Sequence, residues 1–437
     1  MQTVSSEAEP SLAVNPTNAR NIVAVWQQDR FAIDGGALSN VVSVSNDGGE
    51  SWRQVLVAGL SRCTGSAASD ERTSDPWLSF GPDGTLYLAS LTFSEQPTNA
   101  LIAGPTKLVV NTSHDGGLSW DPSVDVQPFD GIYNDREAIT ADPTRPGYAY
   151  YAFVKRYGVF GESGIEMFSR TTDGGKTWSI PLPIVIPPPG TLTDPTLILV
   201  LPDGTLLNFA LIANLTPFLP DVVPRIPWII VVARSADQGQ TWTLPAPIAT
   251  LSPGAPIDPD SGKIVRGYNL ISVGAAPDGT AYVAWNEIES TSSSQILFSR
   301  STDHGTSWTT PKPVKTLATQ GFLPSLAVSG DGTVGVTYYD FRNDRPKDDR
   351  MTTDVWFSSS RDRGDHWQET HLAGPFDMLS APETESSGVA GLFVGDYEGF
   401  VGLPGSEFAA VLTVAKPLAG SGPSDIVFAR IDAARLD

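Results

Sequence analysis

Acidic, arginine and tyrosine side chains gather in short phrases that flank the apolar runs of this 437-residue chain. SEAEP brings Glu9, SDERTSDP brings Arg72 and Asp75, and YNDREA brings Asp135, Arg136 and Glu137. TLTDP brings Asp194, FVGDYEG brings Asp396 and Tyr397, and RGYN has the same placing. Each stands at the start of an apolar run. Past the ends of other runs come Arg30 in QQDRF, Arg156 in KRYG, Glu287 in NEIES and Arg342 in DFRNDR. A guanidinium can donate two parallel charge-assisted hydrogen bonds to a carboxylate, so several forks together would suit an acidic ligand. Glu287 is a candidate general acid. Local ion pairing is the plainer reading of Arg136 between Asp135 and Glu137, packing that of Tyr397, and a solvated loop competes for DFRNDR.

The elements that must position these residues repeat. Ser45 to Trp52 reads SNDGGESW, and the phrase returns as SHDGGLSW, TTDGGKTW, SADQGQTW, STDHGTSW and SRDRGDHW, ending at Trp120, Trp178, Trp242, Trp308 and Trp367. A hydroxyl residue stands first, Asp third, Gly fifth and Trp eighth. The Asp accepts backbone N–H groups across a tight turn, and the Gly supplies positive φ. Asp47, Asp115, Asp173, Asp237, Asp303 and Asp362 are therefore expected to be structural. The indole needs a buried slot and one partner for its N–H. Copies recur about every 60 residues, the size of a four-stranded blade with generous loops.

Ahead of each phrase lies a hairpin of two apolar strands about a Pro/Gly/Asp turn, as in PSLAV-NPTNAR-NIVAVW and ISVGAA-PDG-TAYVAW. Seven such hairpins, with a third strand after each and a fourth after each of the six turn phrases, predict an all-β chain of four-stranded antiparallel blades. The expected fold is one β-propeller domain over 1–437, with blades near 1–60, 61–128, 129–187, 188–250, 251–316, 317–374 and 375–437. The last unit lacks a fourth strand, and QTVSS ahead of Glu7 is the expected donor, pairing N- and C-terminal strands to close the ring. Six blades with a trailing sheet is the alternative.

In up-and-down order the tight turns share one rim and the long, charged connections share the other, where function is expected. The apolar insertion Asn214 to Trp228 lies on that second rim, as a lid, a pocket wall or packed against loops.

Composition narrows the partners. The 28 Lys and Arg against 49 Asp and Glu give a net charge of −21, which argues against nucleic acid or an anionic membrane. Cys63 stands alone, so packing rather than a disulfide must stabilise the chain. No apolar run approaches a membrane span, and no signal peptide follows Met1. His114, His304, His366 and His371 fall in or beside the tight turns, which speaks against zinc. No cofactor is expected; calcium is the one ion with oxygen donors on offer, at Asp258 to Gly262 or at the charged rim.

The repeated phrase resembles the Asp box, or BNR repeat, of the sialidase superfamily. The resemblance implies a secreted or periplasmic, monomeric, carbohydrate-directed propeller. It also implies an arginine cluster for a substrate carboxylate, a tyrosine nucleophile assisted by a glutamate, and an aspartate acid/base. Tyr397, Glu137, Asp75 and Glu287 are the corresponding catalytic candidates. Arg30, Arg72, Arg136, Arg156, Arg342, Asp194 and Asp396 are the substrate-binding ones. The family's Phe-Arg-Ile-Pro signature is absent ahead of the first unit; Arg225-Ile226-Pro227 lies elsewhere. An exo-acting hydrolase of a terminal, acidic sugar is the leading expectation. A propeller that only binds glycan or protein, and a uronate-directed polysaccharide lyase, are its rivals.

Overall fold

A computed structural model describes residues 3–32, 35–66, 70–93, 105–157, 163–189, 191–213, 228–252, 254–266, 271–290, 293–314, 320–386, 389–415 and 422–435. The expected insertion 214–227 lies outside them. Helix is confined, among the described residues, to three short turns of the tight 3-10 kind.

The first unit shows the plan. Strands Glu7–Val14, Ile22–Arg30, Ala37–Ser45 and Arg53–Val55 pair antiparallel in chain order. Five more four-stranded units follow, with innermost strands Arg72–Phe80, Tyr133–Ala141, Leu192–Val200, Ile271–Ala275 and Phe322–Val328. The seventh has three strands, Gly399–Gly402, Glu407–Ala415 and Ser424–Asp432. Alternating apolar side chains fill the spaces between sheets, as the period of two requires. This is the sheet arrangement of a β-propeller. Outermost strands carry Pro183, Pro247 and Pro313, which cannot donate to an incoming strand and so blunt the edge.

Each Asp box is a closed hydrogen-bond set. Asp237 Oδ1 accepts the Thr241 N–H at 2.9 Å, Oδ2 accepts the Thr241 hydroxyl at 2.6 Å, and Ser235 donates to Oδ1 while accepting the Gly239 N–H. Those bonds, the Thr241 hydroxyl first, pull the Asp237 pKa down to about 2. The fifth-position glycine has a second reason beyond positive φ. A Cβ on Gly49, Gly239 or Gly364 would collide with Phe428, Phe168 or Phe298, so the box leans on an aromatic ring of the neighbouring unit. Trp52 and Trp120 donate to Gly49 O and Gly117 O at 3.1 Å, whereas the other four box indoles lack the expected partner.

One expectation is corrected. Residues 3–6 do not lie along the last strand: the Thr3 N–H donates to Arg30 O and the Asp29 N–H to Ser6 O, both at 2.8 Å, which extends the first hairpin instead. The chain ends meet through other groups. The Glu7 N–H donates to Ser424 Oγ at 3.0 Å, Ser424 donates back to Glu7 O at 2.8 Å, and Glu7 Oε2 accepts the Ile426 N–H at 2.8 Å.

Candidate functional site

The site residues are aimed by a shared irregularity. The innermost strands slip register between Ala8 and Ser11, between Ser74 and Trp77, opposite the step from Ala152 to Val154, between Pro195 and Leu197, and between Phe322 and Ser325. At these bulges Glu9, Asp75, Arg136 and Leu323 take left-handed φ of 53, 46, 57 and 51°. That conformation costs an L-residue about 1–2 kcal/mol and turns its side chain away from the pleat. Three of the four side chains so turned are charged.

They meet partners from several units. Arg136 Nε lies 3.3 Å from Asp194 Oδ1, and its Nη2 lies 3.2 Å from Asp396 Oδ2. Arg156 Nε lies 3.1 Å from Asp135 Oδ2, and its Nη2 lies 3.5 Å from Asp194 Oδ1. Arg30 Nη1 lies 3.6 Å from Glu9 Oε2 and donates to Gln27 Oε1. Gln27 in turn donates to Glu9 Oε2 and to Ser74 Oγ, and Ser74 donates to Asp75 Oδ1 at 2.7 Å. The Tyr397 hydroxyl donates to Pro76 O at 3.1 Å, with its ring edge-on to Trp77. Phe393 lies under two guanidiniums, Arg30 at 4.1 Å and Arg266 at 5.1 Å from the ring centroid.

Burial sorts the charges. It pushes Glu9 and Glu137 well above the usual carboxylate range, Asp75 adding to both, and raises Asp75 and Asp194. Asp396 is buried too, yet Arg136, Arg266, Arg30 and Arg156 outweigh the burial and lower it. Burial, then Glu9 and Asp75, lift the Tyr397 phenol well above its ordinary value, so it is a neutral donor. Neutral acids beside a held carboxylate are the division of labour that acid catalysis needs. Both oxygens of Glu137, Nε of Arg30, and Nε and Nη1 of Arg266 are buried without a hydrogen-bond partner.

Of the residues singled out in the sequence, Tyr397, Glu137, Asp75, Arg30, Arg136, Arg156, Asp194 and Asp396 come together here. Three do not. Arg72 donates to Gly35 O at 3.0 Å and stacks on Phe31, where it fastens the connection between the second and third strands of the first unit. Glu287 accepts the Ser252 N–H at 3.1 Å, between the fourth and fifth units. Arg342 lies over Trp356 and is forked onto Glu369 at 2.6 and 3.1 Å on the outer strands of the sixth unit. The mouth is also one-sided. At the sixth unit's bulge stands Leu323, packed with Val265, Phe322, Leu392 and Val394, where the first, second and third units carry Glu9, Asp75 and Arg136.

Arg266, in RGYN, carries no mark of its own in the sequence, because its worth depends on Phe393, more than a hundred residues away. A usable signal was the repeated acid-proline pair Glu9-Pro10, Asp75-Pro76 and Asp194-Pro195. For calcium, Asp258 accepts the Asp260 and Ser261 N–H groups and the Ser261 hydroxyl, which fills it with its own turn. No trio of metal-binding side chains gathers among the described residues.

The whole chain superposes on solved propellers. A Hadza microbial sialidase matches with a TM-score of 0.52 at 13% identity, over 96% of this chain and 75% of that one. The fold is sialidase-like. A polysaccharide lyase described as an ulvan lyase matches with a TM-score of 0.55 at 10% identity, over 100% of this chain and 99% of that one. No protein-family model and no curated protein sequence matches the chain.

Proposed function

We propose that the seven units close a ring, Glu7 meeting Ser424 and Gly49 meeting Phe428 at the join, and that the one-sided mouth hydrolyses a terminal, acidic sugar. One observation carries the chemical part: donors on Arg30 and Arg266 and the acid Glu137 are all buried and unpartnered in one charged cluster. Leaving such groups unmet costs about 1–3 kcal/mol each. A ligand with a carboxylate at one end and a leaving-group oxygen at the other satisfies them together.

In this reading Arg266, with two donors unmet, and the Nε of Arg30 hold the substrate carboxylate; Arg136 and Arg156 each already face two carboxylates, whereas Arg30, among the described residues, faces Glu9 alone. Glu137, kept neutral by burial, gives its proton to the leaving oxygen. Asp396 stays ionised beside Arg136 and steadies positive charge on the sugar; water then bonds to the anomeric carbon and gives its proton to the Glu137 carboxylate left by the first step. Asp75 stands at the same face as a second acid, and Tyr397 as a neutral hydrogen-bond donor, since its raised pKa opposes the nucleophile role expected from the sequence. Export and a monomeric state belong to the same proposal.

A uronate-directed lyase uses the same arginines, and the fold likeness to the ulvan lyase keeps it as the second reading. It fits less well, because a phenol with a raised pKa is a poor base. A panel of labelled sialosides, uronides and neutral glycosides tests the choice. Hydrolysis of an acidic glycoside is expected, with kcat reduced about 10²–10⁴-fold in Glu137→Gln, and Tyr397→Phe reports on the phenol. An unsaturated, ultraviolet-absorbing product would establish the lyase instead. Turnover unchanged in Glu137→Gln would remove the acid assigned here.

A further inference from the structure

On the opposite rim, between the first and second units, lies a cavity of about 220 Å³ lined by Asn15, Asn18, Asn46, Asp83, His114 and Asp115 among others. It opens where the fifth and sixth units are filled. The fourth box position carries His304, whose Nδ1 lies 2.7 Å from Asp203 of the preceding unit, and Arg363, whose Nη2 lies 2.7 Å from Asp278. In the second unit that position is Gly116, at φ 74°. A Cβ there would stand 2.6 Å from Asn21 Oδ1.

The floor is built and fixed. Asn21, nearly buried, donates from Nδ2 to Asn46 Oδ1 at 3.0 Å and to Gly116 O at 3.1 Å, and Asn15 donates to Asn21 Oδ1 at 3.1 Å. Asn21 spends its amide on these bonds and so fixes Asn15 and Asn46 before any ligand arrives, which lowers the ordering cost of binding.

The lining selects a chemistry by elimination. It contains no Lys or Arg, so an anion has no counter-charge. Its lining offers no apolar surface beyond the Thr17 methyl and the His114 ring, so an apolar ligand gains little. Asp115 gives its oxygens to Ser113 and Ser119 inside its own box, and Asp83 gives Oδ1 to the Thr85 N–H. Too little carboxylate remains for a divalent cation that takes 6–8 oxygens. A neutral, hydroxyl-rich ligand matches amides, a carboxylate oxygen and an imidazole. The volume falls below the about 300 Å³ at which drug-sized pockets begin, which leaves room for one sugar ring.

We propose that this crevice is a second, non-catalytic saccharide subsite that takes a single neutral sugar residue. It stands independently of any reaction at the mouth. Two points of hold on opposite rims would raise the residence of a polymer without any new contact at the reacting sugar.

Saturation-transfer NMR with methyl glycosides of glucose, galactose, mannose and arabinose tests it. Transfer to at least one probe is expected, at least about tenfold weaker in Asn18→Ala, which removes a hydrogen bond or two at an exposed position. Gly116→His, which fills the crevice as His304 fills its own, is expected to abolish transfer; thermal melts check that both variants fold. Glu137→Gln at the mouth should leave the signal intact. No transfer to any probe, transfer surviving both rim variants, or transfer lost in Glu137→Gln alone would each overturn the subsite.

Discussion

Glu166 is fully buried in the third strand of the third unit, beside Asn208 of the fourth. Neither carboxyl oxygen and neither amide atom completes a hydrogen bond. Burial pushes its pKa up to about 8, with Asp194 adding and the Asn208 amide opposing through a contact that falls short of full hydrogen-bond geometry. A carboxyl that titrates higher folded than unfolded keeps a proton that the unfolded chain has lost. Its contribution to stability is therefore present below pH about 4.5 and lost as pH rises to about 8. Urea unfolding of wild type and Glu166→Gln should diverge over that interval by on the order of 4 kcal/mol, the glutamine variant gaining. Parallel curves would show that Glu166 is not buried as described. Nothing in IEMFSR gives this residue away, since an alternating strand shows which face a side chain takes but not what the next sheet sets against it. The box aspartates were legible for the opposite reason: their partners are four residues or fewer away.

At the scale of the element, the bulged innermost strand does the aiming. Asp75 sits at φ 46° with its carboxyl in the charged cluster, so the role proposed for it and backbone comfort are opposed at one position. Asp75→Gly should therefore keep or raise the melting temperature, by up to about 1 kcal/mol in stability, while turnover of the acidic glycoside falls. A loss of both would mean that Asp75 is chiefly a structural partner of Ser74 and Gln27. The hairpins and turns were readable from alternation and from PDG and GDG triplets. The bulges were not, because a slip of register is fixed by the partner strand and leaves only the acid-proline pairs as a trace. The same limit explains Arg342, whose charged loop looked like a mouth segment until Trp356 and Glu369 drew it to the outer strands.

For the whole molecule, the join between first and last units is the part the sequence placed nearby and misassigned in detail. No strand from residues 3–6 completes the seventh sheet. Instead the first Asp box leans on the last strand, with Trp52 edge-on to Phe428 at 5.0 Å and no room for a Cβ on Gly49. Gly49→Ala should be destabilising alone and less so when Phe428→Ala has opened the space. The coupling expected across the chain ends is about 1 kcal/mol or more, read from a double-mutant cycle of unfolding free energies. Additive effects would mean that the two units do not press on each other in solution.

The central claim is that the chemistry belongs to the one-sided mouth on the loop-rich rim. A crystal structure of Glu137→Gln soaked with an acidic glycoside addresses it most directly. The sugar carboxylate is expected on Arg30 and Arg266 over Phe393, with the glycosidic oxygen at residue 137. An acidic sugar bound only among the asparagines of the Asp-box rim, with the mouth arginines still facing no ligand, would contradict it.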